Sequence, residues 1–80
     1  MPAFIDALIM TFASTTDALA AEKAFRIEGL PGRLIPLPGA IAAGCGLCWK
    51  TDPGQKEPLL DCAACHSLHW EQLHHVRLRG

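Results

Sequence analysis

No stretch of this chain is both long enough and apolar enough to cross a bilayer. The longest apolar run, Phe4 to Phe12, is broken by Asp6 and falls far short of the ~20 residues that a helical span needs. The first residues carry neither the basic segment nor the small-residue cleavage site of an export signal. A cytoplasmic protein with no membrane association is therefore expected. Cationic excess is missing as well. Seven Lys and Arg stand against eight Asp and Glu, for a formal net charge of −1, and the bases are scattered rather than gathered into a nucleic-acid footprint. No Ser-His-Asp arrangement, phosphate-binding glycine loop or pair of carboxylates is present, which argues against a hydrolase or a nucleotide enzyme. Internal repeats and low-complexity tracts are absent too.

What is present fits one small domain over residues 1–80. Half of the residues are apolar and 19% are charged, which is the balance of a globular chain. At this length an apolar core alone is only marginally stabilising. "FIDALIMTF" (4–12) reads as a strand covered on both faces. Ser14 is a good helix N-cap, with Asp17 three residues on in the place of a capping-box acid. Ala, Leu, Glu and Lys fill the helix that follows, and Glu22 is placed to pair with Arg26. Ala18, Ala21 and Phe25 mark its buried face. Gly29 and then "PG" (31–32) close it. "RLIPLPG" (33–39) is a short strand, and its Pro36 suits an edge because proline cannot donate to a ladder. Residues 40–44 read as a turn or a single helical turn, "CGLCWKT" (45–51) as a third strand, and a helix is expected from about Pro58 to His66. "LHWEQLHHVRL" (68–78) fits either a strand or one helical face. The order β-α-β-β-α-β predicts an α+β, ferredoxin-like fold: a four-stranded antiparallel sheet with both helices on one face. The first and third strands would be central and the second and fourth would form the edges.

Four cysteines carry most of the chemical signal, in the pattern C-x2-C-x13-C-x2-C formed by Cys45, Cys48, Cys62 and Cys65. Two such pairs are the ligand set of a tetrahedral zinc, and a zinc would help to stabilise so small a domain. The x13 spacing is slightly short for a zinc ribbon. Cys45 and Cys48 also read as a redox pair. Residues three apart on a strand point to opposite faces, however, so their sulfurs meet only if a turn intervenes. Cys48 is expected to lie buried between the sheet and the helices. Cys62 and Cys65 lie one helical turn apart and fit either a shared ligand site or two small core residues. "CAACH" matches the attachment motif of c-type haem, with His66 as the axial ligand, although such attachment follows export. The remaining histidines, at 69, 74 and 75, read as solvated surface. Gly44 and Gly46 flank Cys45. They remove steric cover and let backbone N–H groups turn toward its sulfur.

"FASTTDALAAEKAFRIEG", "RLIPLPGAI" and "GCGL" together resemble the putative Se/S carrier protein-like family of short bacterial proteins. The resemblance covers roughly residues 7 to 50. It places the family's cysteine on Cys45, its glycine on Gly46 and its strand prolines on Pro36 and Pro38. The chain departs from the pattern at Gly39, where the family has a basic residue, and at Ala42 and Ala43, where it has small hydroxyl residues. Cys48, Cys62 and Cys65 lie outside the pattern. The resemblance implies a carrier or binding protein more than a turnover enzyme. It would hold sulfur or selenium on Cys45, with Cys48 able to resolve the adduct only if the two sulfurs meet. It also implies a donor such as a cysteine desulfurase-type enzyme, an acceptor protein and no required cofactor. A zinc-binding module is the alternative. Exposed edge strands make a homodimer a further expectation.

Overall fold

The computed structural model describes residues 4–39 and 45–79. Its order is β1 (Phe4–Thr11), α1 (Thr15–Ile27), β2 (Arg33–Pro36), β3 (Leu47–Thr51), a 3-10 turn (Pro53–Gln55), α2 (Lys56–Cys65) and β4 (Leu73–Arg79). The strands form one antiparallel sheet in the order β2-β3-β1-β4, which is the expected ferredoxin-like arrangement. The apolar first strand is central, and the strand bearing Pro36 is an edge.

The first helix forms for the reasons legible in its residues. Ser14 has extended backbone angles, and its hydroxyl accepts from the Asp17 N–H at 3.1 Å, satisfying one of the helix's unpaired first-turn donors. Arg26 pairs with Glu22 at 3.3 Å. Beyond Glu28 the chain leaves the helix through Gly29 at φ +72, the left-handed conformation that glycine adopts without penalty. Ser14→Ala is expected to destabilise the domain by about 1 kcal/mol, read as a lower urea midpoint at unchanged slope.

Other boundaries differ from expectation. β2 stops at Pro36 and β3 starts at Leu47, so Cys45 stands just outside the strand and not in it. The second helix begins earlier, at Lys56, after Asp52 caps the 3-10 turn through the Gly54 N–H at 2.9 Å. Pro58 occupies its first turn, where a missing N–H costs nothing. Of the ambiguous C-terminal stretch, Leu73–Arg79 is strand, paired with β1 from Phe4 to Met10. His69 and Trp70 lie ahead of it in the connection. The expected turn over 40–44, with Gly44, lies outside the described residues.

Side chains alternate between the two faces of a strand, and the faces differ here. Leu8, Met10 and Trp49 join Ala18, Ala21, Ala24 and Phe25 of α1 and Leu59, Cys62 and Ala63 of α2 in a single core. Trp49 packs on Phe25 with ring centroids 5.0 Å apart. On the opposite face lie Ala7, Ile9, Thr11 and Cys48, also buried, with Thr11 and Cys48 directly opposed across β1 and β3. Cys48 is therefore buried as expected, but not between sheet and helices: its neighbour Trp49 takes that side. No helix among the described residues is long and apolar enough to cross a membrane.

Candidate functional site

Cys45 stands where the β2–β3 connection rejoins the sheet. Leu37 N–H donates to the Gly46 carbonyl at 2.9 Å, which extends the β2–β3 pairing beyond Pro36 and holds this end in place. Gly46 has φ +75. This turns the chain so that the Cys45 sulfur comes back over Leu47. The thiol donates to the Leu47 carbonyl at 3.3 Å, and the Leu47 N–H donates to the sulfur at 3.4 Å. The sulfur thus has a partner in either protonation state: an acceptor for its proton, and a donor for its lone pairs once the proton has gone. Cys45 is half-buried, resting with Leu47 and Leu34 against the margin of the helix-side core. Of the two glycines expected to flank the sulfur, only Gly46 is among the described residues.

Cys48 is different in kind. It is fully buried on the other face, and its thiol donates to the Ile35 carbonyl at 3.8 Å. Burial pushes it from its ordinary value of 9.0 up to about 11, and the charge of a Cys45 thiolate adds to the rise. A thiolate is the nucleophilic form of cysteine, and burial holds Cys48 toward its less reactive thiol form. The shift also makes stability depend on pH. Between pH 9 and about 11 the unfolded chain releases this proton while the folded chain keeps it. The stabilisation is complete below that window and is lost as pH rises through it, with a slope approaching about 1.4 kcal/mol per pH unit for one thiol. Urea midpoints across the window should fall more steeply for the wild type than for Cys48→Ala.

The second pair divides likewise. Cys62 is buried in the core against α1, with its thiol 3.8 Å from the Ala24 carbonyl. Burial raises its pKa, and the charges of Glu28 and Cys65 raise it further. Cys65 is exposed at the end of α2 and lines a shallow cavity of about 310 Å³ with Glu28, Asp61 and Cys62. His66 Nε2 is 3.0 Å from a Glu28 carboxylate oxygen. The haem reading of "CAACH" meets a packed obstacle, because covalent attachment would have to draw Cys62 out of the core and His66 away from Glu28.

The four sulfurs do not converge. Cys48 points away from the helices and Cys62 lies beneath α1, whereas one tetrahedral ion needs all its thiolates at about 2.3 Å. Among the described residues, no group of three or more His, Cys, Asp or Glu is arranged to hold a metal ion. Cys45 and Cys48 do not form a facing pair either, since Cys45 rests against the helix side and Cys48 faces the opposite way. The histidines also disperse: His74 contacts Gln72 at 2.9 Å, and His75 approaches Asp6 at 4.0 Å.

A family model described as "Putative Se/S carrier protein-like" matches residues 7–75. The match runs from within β1 into β4 and so takes in both cysteine pairs. No curated protein and no solved structure matches the chain.

Proposed function

Because the chain belongs to the putative Se/S carrier protein-like family, we propose that it carries sulfur or selenium on Cys45. The observation that carries this reading is the contrast among the thiols. Cys48 and Cys62 are buried, with pKa values raised by that burial. Cys65 is exposed but shares its cavity with the carboxylates of Glu28 and Asp61, which repel an incoming anionic sulfur species. Cys45 is half-exposed, held by Leu47 and fixed at the end of the sheet.

The chemistry is two exchanges at one sulfur. The Cys45 thiolate attacks the terminal sulfur of a donor persulfide. A Cys45 S–S bond forms, the donor's S–S bond breaks, and the donor departs as its thiolate with the electron pair. An acceptor thiolate then attacks the outer sulfur of Cys45–S–SH, takes that sulfur and regenerates the Cys45 thiolate. Oxidation level is conserved in both steps, so no external oxidant or reductant is needed. Selenium follows the same course through a selenosulfide. Gly46 sets no side chain of its own beside the sulfur. Donor and acceptor proteins are the implied partners. Cys48 is not needed as a resolving thiol in this scheme, since the acceptor supplies that thiolate.

Cyanide tests the reading, because it removes the outer sulfur of a persulfide as thiocyanate. Protein loaded from a small-molecule persulfide and freed of excess donor should yield close to one thiocyanate per chain. A yield no greater than that of protein whose thiols were alkylated before loading would contradict the proposal.

A further inference from the structure

At the end of the sheet away from Cys45, Arg33 and Lys50 are direct partners across β2 and β3. Like charges directly opposed on neighbouring strands repel, and among the described residues neither cation makes an ion pair. Both line a cavity of about 350 Å³. The two carboxylates that share it are turned to other tasks. Asp6 lies 3.6 Å from Arg77 and 4.0 Å from His75, while Asp52 accepts from the Gly54 N–H at 2.9 Å.

The rest of the cavity is built from a strand mismatch. β1 pairs with β4 from Phe4 to Met10 but with β3 only from Leu8 to Thr11. The stretch from Ile5 to Ala7 therefore has no strand on its β3 side, and it lines the cavity. Backbone polar groups without a strand partner need another hydrogen-bonding partner. The same stretch contributes Ile5, a large apolar side chain left 45% exposed. Two cations without an ion pair among the described residues, an open strand flank and an exposed aliphatic side chain are thus gathered around one cavity.

We propose that this cavity binds a small organic carboxylate, its charge held by Arg33 and Lys50 and its aliphatic body against Ile5. The site is independent of Cys45 and of the carrier reading. Arg33 offers a planar fork suited to both carboxylate oxygens, and Lys50 adds a point charge from the neighbouring strand. Binding removes the repulsion between the two cations, so the ligand stabilises the fold as well as occupying it.

A natural reporter lies alongside. Trp49 Nε1 is buried, with no hydrogen-bond partner among the described residues. Its ring lies against Gly32 of the cavity wall, only 2.7 Å from where a Cβ would stand. The test titrates butyrate, with acetate and chloride at matched ionic strength, into Trp70→Phe protein, in which Trp49 alone emits. Butyrate should change the emission saturably and raise the thermal midpoint, and acetate should act more weakly. Arg33→Gln and Lys50→Gln, each made in that background, should weaken butyrate binding roughly three- to tenfold. In the absence of ligand and at low salt, both should melt no lower than their parent, which shows that the variants fold. The proposal is overturned if butyrate acts no differently from chloride, if both variants titrate like their parent, or if both melt lower without ligand.

Discussion

Cys45→Ser is expected to lose at least about tenfold in sulfane sulfur acceptance, down to the level of alkylated protein, because a serine hydroxyl is not ionised at neutral pH and cannot form a persulfide. The loss should come without unfolding. The sulfur is only half-buried, and both of its hydrogen-bond partners belong to Leu47, so a hydroxyl can keep them. Cys48→Ala and Cys65→Ser should accept sulfur nearly as the wild type does. The first removes a thiol that stays protonated because it is buried, and the second removes one that stands at the far end of α2. If Cys65→Ser and not Cys45→Ser lost the label, the carrying atom would be on the helix and the argument from the Gly46 turn would fail. Gly46→Ala separates geometry from chemistry. Nothing obstructs its Cβ, but the φ of +75 costs a non-glycine residue roughly 1–2 kcal/mol. A turn that relaxes to escape that cost moves the sulfur off Leu47 and slows loading with the thiol still present.

Gly32→Ala is expected to be the most damaging Gly→Ala change among the described residues, at roughly 2–4 kcal/mol. Two costs coincide there. The φ of +135 belongs to a region essentially reserved for glycine. A Cβ would also stand 2.6 Å from the Lys50 carbonyl and 2.7 Å from Trp49 Nε1. Neither neighbour gives way easily, because Lys50 is ladder backbone in β3 and Trp49 is locked against Phe25 in the core. For a chain of this length total stability is on the order of 4–12 kcal/mol, so the variant should melt at least about 10 °C lower. Gly29→Ala provides the comparison. Its φ of +72 is also left-handed, but nothing lies within 4 Å of the added carbon, and a loss of about 1 kcal/mol is expected. Equal losses at the two positions would mean that the contacts with the Lys50 carbonyl and Trp49 contribute nothing.

The parts of this fold that could be read from residues alone are those in which local chemistry agrees with burial. Ser14, the alanine-rich face and Gly29 define α1 almost to the residue. Pro36 marks an edge strand because its nitrogen cannot enter a ladder. From these and the order of elements the sheet follows. The misplaced face of Cys48 has one physical cause, which is register. Whether Cys48 or Trp49 faces the helices depends on a shift of one residue, and Cys48 and Trp49 are both apolar enough for either side of that choice. Register alone also sets Arg33 against Lys50 and brings Gly32 onto the Trp49 ring, so neither feature could be found by motif. Within "CAAC", helical spacing does place both cysteines toward one cavity. Only packing against Ala24 makes Cys62 a core residue and leaves Cys65 in solvent. The C-x2-C repeat suggested convergence that strand and helix geometry does not provide.

The most direct test of the carrier reading is the mass of each cysteine-containing peptide after loading. The anaerobic protein is treated with a persulfide donor, its exposed thiols and persulfides are capped, and it is digested without reductant. One extra sulfur atom on the peptide bearing Cys45, removed by reductant and missing from the Cys62 and Cys65 peptide, is the predicted result. Sulfur found on the Cys65 side of the molecule, or no retained sulfur on any peptide, would contradict it.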